Sequence, residues 1–198
     1  MRARFLFYII GLVIVSFGVS LTIKADLGAG AWDALNVGLS NVIGLTVGSW
    51  VIIVGLVLIF LNAYLLKTKP EFLAAFTIVI VGFLIDFWLL FVLKNWTPTN
   101  NYVVLGIGLV TLSIGISIYL QAKFPLIPID NLMIALKARL KINLMVAKTI
   151  GEITALLLAF LFNGPIGIGT LLITFLIGPM IQLLFPLFEG LMKKMSPG

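Results

Sequence analysis

Residues 11–39 read GLVIVSFGVSLTIKADLGAGAWDALNVGL, and residues 108–136 read GLVTLSIGISIYLQAKFPLIPIDNLMIAL. Laid over one another at an offset of 97, they agree at ten of 29 positions, among them Gly11/Gly108, Ser16/Ser113, Gly18/Gly115, Ser20/Ser117 and Asp33/Asp130. This composition yields roughly three such matches by chance, so the chain carries an internal repeat. The Asp33/Asp130 match is the most telling, because Asp is rare here. With one residue deleted, Gly82-Phe-Leu-Ile85 falls on Gly178-Pro-Met-Ile181. The two halves, about 5–95 and about 102–190, therefore begin alike and end alike.

The surroundings of this repeat set its solvent. Of the 198 residues 62% are hydrophobic and 10% charged, with mean hydropathy +1.24. A soluble domain carries roughly 25% charged residues to keep its surface wet. Lipid is the natural solvent for this chain, read as a single membrane domain over 1–198. Apolar runs of about 20 residues mark spans, and six occur: Phe5–Ile23, Val47–Leu66, Phe72–Leu93, Tyr102–Leu120, Leu144–Phe162 and Ile168–Leu187. Met1-Arg2-Ala3-Arg4 resembles a signal-peptide start, but the run behind it is too long and lacks an Ala-x-Ala site, so it reads as a retained first span.

Two stretches remain, Lys24–Thr46 and Gln121–Asn143, each interrupted by Gly or Pro and each holding an Asp. Basic residues concentrate on the cytoplasmic side and arbitrate whether these stretches cross. If both cross, Lys24, Lys67, Lys69 and Lys123 lie outside and nine of the 13 basic residues lie inside. If both dip in and return, only Lys24 and Lys94 lie outside, leaving eleven inside. The expected architecture is thus an all-α membrane protein. Its six transmembrane helices form two inverted three-helix repeats, each with a broken or re-entrant short-helix segment. Both termini are expected in the cytoplasm.

A break at membrane depth needs protein or water to satisfy its backbone. In Ala25-Asp-Leu-Gly-Ala-Gly-Ala31 two glycines permit positive φ, and in the second half Pro125 and Pro128 stand in for them. A short helix is expected to start near Trp32 and near Ile129. That puts Asp33 and Asp130 in a first helical turn, where an acid is either a cap or part of a site at two converging helix ends, the architecture of many secondary transporters. Two more carboxylates, Asp86 and Glu152, lie within spans. A charge at mid-bilayer costs about 2.5–3.5 kcal/mol or more and usually faces a cavity or partner. Neither acid is repeated: Asp86 aligns with Gln182 and Glu152 with Gly55. Lys148 precedes Glu152 by four residues, on the same helical face. Asn36 and Asn131 offer amides beside the paired aspartates, and Trp32 offers an interface anchor or a flat apolar wall. The Ser-x-Gly-x-Ser pairs at 16–20 and 113–117 read as helix contacts, with hydroxyls as glue.

Several classes are set aside. The chain has no Cys and no His, which removes thiol chemistry and makes a zinc site improbable. The Gly164–Gly169 stretch lacks the G-x-x-x-x-G-K pattern of a phosphate loop and reads as a tight turn. The net charge of +6 fits cytoplasmic loops against anionic lipid rather than nucleic acid. No catalytic residues, metal or cofactor are expected, and the chain is not read as an enzyme.

Lys24-Ala-Asp-Leu-Gly-Ala-Gly-Ala-Trp-Asp33 followed by Gly38-Leu39, with Gly164-Pro-Ile-Gly-Ile-Gly-Thr170 and Gly178-Pro179, resembles the YczE branch of the bacterial YitT/YczE-type integral membrane proteins. The resemblance covers nearly the whole chain and implies a multi-pass protein of the bacterial cytoplasmic membrane. It also implies an acidic position at Glu152, although Lys141-Ile-Asn-Leu-Met145 replaces the glycine-containing approach expected there. From the residues, the leading expectation is a small secondary transporter or permease-like protein. An unidentified small solute, cationic or zwitterionic, would bind near the midplane at Asp33, Asp130, Asp86 and Glu152, with Asn36, Asn131 and Trp32 nearby. The alternatives are a non-transporting partner or regulator of a membrane-associated biosynthetic complex, docked through Lys137–Lys148, and a substrate-binding subunit of an ATPase-driven importer. The expected company is the lipid bilayer, the solute, and either further copies of the chain or another membrane protein.

Overall fold

The structure, a computed structural model, describes residues 2–195. Among these the chain forms eight α-helices: α1 (Arg2–Lys24), α2 (Ala31–Ile43), α3 (Val47–Leu66), α4 (Phe72–Phe87), α5 (Asn101–Gln121), α6 (Pro128–Leu140), α7 (Leu144–Leu161) and α8 (Ile168–Met195). A π-helical turn, Trp88–Val92, prolongs α4. Six of these are long and apolar enough to cross a membrane: α1, α3, α4 with its π turn, α5, α7 and α8. They are the six expected from hydropathy.

The remaining two, α2 and α6, have 13 residues each. At 1.5 Å per residue that is about 20 Å, short of the roughly 30 Å hydrocarbon layer. Each follows a non-helical stretch, at 25–30 and 122–127. The first uses a left-handed Gly28 (φ +100°) and a left-handed Asp26 (φ 51°). A side chain at Gly28 would be strained and would also strike the Gly167 backbone at 2.5 Å. The second ends with Pro128 in the first turn of α6, where its missing N–H costs nothing.

Sequence and structure differ at the end of α8. The apolar run stops at Leu187, but the helix continues to Met195 through Pro179 and Pro186. Hydropathy sees only the apolar part of a helix. The last turns are polar, and a Lys193–Glu189 pair at 2.7 Å spans one of them.

The chain divides into two compact units, each drawing on both halves. The first comprises Met1–Gly30, Phe87–Phe124 and Ile166–Gly198. Here α1 and α5 cross in close contact. Gly11 faces Tyr119, Val15 faces Gly115, Gly18 faces Leu112 and Thr22 faces Gly108. As one position climbs the other falls, so the helices run antiparallel. Shifted by 97, each contact becomes another in the set, which gives the crossing a local two-fold symmetry. A Cβ at Gly11 or Gly18 would lie 2.6 Å from backbone nitrogen of the facing helix. In lipid, where burial from water contributes nothing, such backbone approach is a main source of helix association. The serines were expected to bridge these helices. Instead they bond back into their own: Ser20 Oγ to Ser16 O, Ser113 Oγ to Leu109 O and Ser117 Oγ to Ser113 O, each at 2.8 Å. The separation set by glycine is so short that a hydroxyl fits best folded against its own turn. Ser16 likewise donates to Val13 O at 2.9 Å in its own helix, and it also accepts from Trp88 Nε1 of the π turn at 3.1 Å.

The second unit comprises Ala31–Asp86 and Pro125–Pro165. In it α2 packs on α7 and α6 packs on α3, while α2 also touches α3 and α6 touches α7. Exchanging the halves converts each contact into its counterpart. Glycines again set the approach: a Cβ at Gly164 would lie 2.2 Å from Ala34 O, and one at Gly48 would lie 2.1 Å from Gly82 O.

Outside these contacts the helices present large apolar side chains. Phe60, Phe72, Phe83, Phe91, Phe160 and Phe175 are all at least 60% exposed. Such a surface is untenable in water and ordinary in hydrocarbon.

Candidate functional site

The sequence singles out seven residues: Trp32, Asp33, Asn36, Asp86, Asp130, Asn131 and Glu152. Asp33, Asn36, Asp130 and Glu152 bear on one neighbourhood of the second unit, and Trp32, Asp86 and Asn131 do not. The starts of α2 and α6 put Asp33 and Asp130 in first helical turns. Packing of α2 and α6 against α7 brings both toward Glu152. Asp33 is largely buried and lies within reach of the Glu152 charge, while Glu152 lies within reach of Lys148 and, with smaller effect, of Asp130. Among the described residues Lys148 and Glu152 do not close to a salt bridge. One turn beyond Asp33, Asn36 is 2% exposed, and its Oδ1 has no hydrogen-bond partner among the described residues. A buried acceptor left open in this way is costly, typically about 1–3 kcal/mol.

Trp32 lies on another face of α2. With Leu35 and Leu39 it lines an apolar cavity of about 470 Å³, completed by Leu132 and Leu136 of α6 and by residues of α3 and α7. Leu35/Leu132 and Leu39/Leu136 are repeat-equivalent pairs. Asp33 follows Trp32 by about 100° around the helix axis, and none of the acids lines the cavity. Trp32 is therefore a buried apolar wall.

Asp86 sits elsewhere. Its Oδ1 accepts the Gly48 N–H at 2.8 Å and its Oδ2 accepts the Thr46 hydroxyl. Thr46 Oγ1 in turn accepts the Ser49 N–H at 3.1 Å, capping α3. Asp86 thus serves as a cap for the neighbouring helix, reaching the unsatisfied N–H groups and partial positive charge at the start of α3. Asn131 turns to Glu71, donating Nδ2 to Oε2 at 3.3 Å.

Sequence reading passed over Asn62. It is 3% exposed, donates Nδ2 to Pro128 O at 2.9 Å, and leaves Oδ1 without a partner among the described residues. An amide deep in the apolar run Val47–Leu66 was a usable clue, because polar groups inside spans seldom go unused. Among the described residues no group of three potential metal ligands occurs.

Six membrane-length helices with phenylalanine-rich outer faces define a multi-pass integral membrane protein. Comparison with known proteins gives the particular family. The chain belongs to DUF6198, a family of unknown function, whose model matches residues 2–186. It is 43% identical to the uncharacterized protein YyaS of Bacillus subtilis over 94% of each chain. It is 34% identical to the uncharacterized membrane protein YczE of the same organism, covering 92% of this chain and 86% of that one. An uncharacterized Haemophilus influenzae protein is 24% identical over 86% of this chain. No solved structure matches. The resemblance to the YczE type read from Lys24–Asp33 and Gly164–Thr170 is thereby established.

Proposed function

We propose that this chain is a small secondary transporter whose solute binds at the carboxylates of Asp33, Asp130 and Glu152. What supports this reading is where three acids from both halves fall: Asp33 and Asp130 stand in the first turns of α2 and α6, short helices that follow non-helical chain, and both helices pack on α7, which carries Glu152. Acids kept together in an apolar setting raise one another's cost. A proton, a cation or the ammonium of a zwitterion relieves it. Asn36, with its open acceptor, adds a neutral oxygen to the same helix turn.

The antiparallel crossing of α1 on α5 supports an inverted second half, and the short α2 and α6 support segments that dip into the membrane from opposite faces. Inversion is the usual geometric basis of alternating access: two equivalent half-sites trade exposure as one element rocks against the other. In this reading both termini face the cytoplasm, as the bias of basic residues requires.

Reconstitution into proteoliposomes tests the proposal. Flux of a cationic or zwitterionic solute, lowered roughly tenfold by Asp33→Asn and by Glu152→Gln in folded protein, is the expected result. Absence of flux for every solute class, with and without a pH gradient, overturns it. Loss of a protein partner on charge reversal across Lys137–Lys148 would then make the chain a docking component.

A further inference from the structure

A second, smaller pocket has Pro128 and Asn131 in its lining, on either side of Asp130, but none of the three acids of the proposed transport site lines it. It has a volume of about 150 Å³ and is lined by Asn62, Thr68, Lys69, Glu71, Pro128 and Asn131, among others. These residues come from the end of α3, the connection to α4 and the first turn of α6, all in one compact unit.

Three of its polar side chains, Asn62, Glu71 and Asn131, are oriented by hydrogen bonds. The Asn62 amide is oriented by its donation to Pro128 O, so Oδ1 points away from that bond and is buried with no donor. Asn131 spends an N–H on Glu71, which leaves its own carbonyl oxygen available and steadies the carboxylate. An amide nitrogen used as donor fixes where its oxygen lies. Two amide oxygens and a carboxylate thus line one small space, and the buried one is a liability until a donor reaches it.

We propose that this pocket binds a primary ammonium group. Such a head presents three N–H donors on one point charge, matching three acceptors of which one is a carboxylate group. A water molecule offers only two donors and no charge. The volume equals about five waters at roughly 30 Å³ each, room for the ammonium and a short chain but for little more. Lys69 lines the same pocket without an ion pair to Glu71. The ammonium therefore belongs either to a simple amine, with Lys69 idle, or to a small amino acid whose carboxylate Lys69 holds. This inference concerns binding alone and does not depend on the transport reading.

The test is ligand-observed NMR on the full chain in lipid nanodiscs, titrated with methylammonium and, as a matched cation without N–H groups, tetramethylammonium. Methylammonium is expected to bind saturably and at least about tenfold more tightly, the equivalent of one charge-assisted hydrogen bond. Glu71→Gln and Asn131→Ala lie at the exposed edge, and each is expected to weaken binding about tenfold with the melting temperature preserved. Asn62→Leu removes the buried acceptor and also its bond to Pro128, so it is informative only alongside those two. Repeating the titration with L-alanine separates the sources. A Lys69→Met loss confined to alanine assigns the ammonium to an amino acid, and no loss with either ligand assigns it to an amine; both uphold the site. Equal binding of tetramethylammonium, or affinities untouched by Glu71→Gln and Asn131→Ala, overturns it. A protein that binds methylammonium but moves no solute sinks the transport proposal and leaves this one intact.

Discussion

The crossing of α1 with α5 and the group of short helices around α7 are built from the same repeated segment, yet they treat polar groups in opposite ways. At the crossing every serine hydroxyl is satisfied within its own helix or by Trp88, and glycine brings backbone to within a methyl's width of backbone. Around α7, Asp33 and Glu152 confront one another, and Asn36 keeps an open acceptor. The first region has spent its chemistry on holding together; the second has kept some in reserve. Charges inside a membrane that serve no packing purpose are the strongest pointer to use.

The largest effect is expected where this contrast is sharpest. Gly18→Leu thrusts a branched side chain at the Leu112 backbone, where even a Cβ would sit at 2.6 Å. Backbone cannot move aside as a side chain can. Overpacking of this kind costs about 3 kcal/mol or more, so thermal unfolding in detergent should show a much less stable or unfolded protein. An unchanged melting temperature would mean that the two helices do not meet there.

Next comes Asp86, which separates structural from functional acids. Asp86→Ala strips the cap from α3 and strands the Gly48 N–H, at a cost of about 2 kcal/mol. Solute flux per folded molecule should stay the same. A flux defect in protein of normal stability would return Asp86 to the transport pathway.

Asp33→Asn should do the reverse. Flux should fall roughly tenfold, as for loss of one charge-assisted contact. Stability should hold within about 0.5 kcal/mol or rise, because the substitution replaces a carboxyl whose charged form burial disfavours, and secondarily because it removes a like charge near Glu152. A large drop in melting temperature with flux intact would make Asp33 an ordinary cap.

Much of this contrast was legible beforehand, for physical reasons. Hydrocarbon imposes a length on spans, so hydropathy found all six. Gly11, Gly18, Gly108 and Gly115 stand in register at the 97-residue offset, and glycine at spaced positions in a span signals close approach. The starts of α2 and α6 fell where Gly and Pro end the break. What stayed hidden depends on pairing between distant segments. Asp86 reads as a lone carboxylate in a span until Gly82 is seen against Gly48, which carries the acid to the start of α3. Asn62 gains meaning only when Pro128 arrives beside it. Trp32 and Asp33 are adjacent in sequence, and only the packing of α2 shows that they serve different faces.

The smallest effect is a pair of substitutions two residues apart on α5. At Gly108 a Cβ would meet Thr22 Cγ2 at 2.9 Å and Thr22 N at 3.1 Å, whereas at Gly106 nothing lies within 4 Å. Both glycines carry the same penalty within a helix. Replacing Gly106 by Ala relieves it at no steric cost and should stabilise by about 0.5–1 kcal/mol. Replacing Gly108 by Ala gains the same helical preference but forces Thr22 against its own helix, and the balance should turn negative. Opposite signs in thermal unfolding would localise the crossing to one stripe of α5. Equal signs would break the contrast from the other side, since the glycines would then be there for the helix's own sake and the antiparallel contact with α1 would not be what they serve.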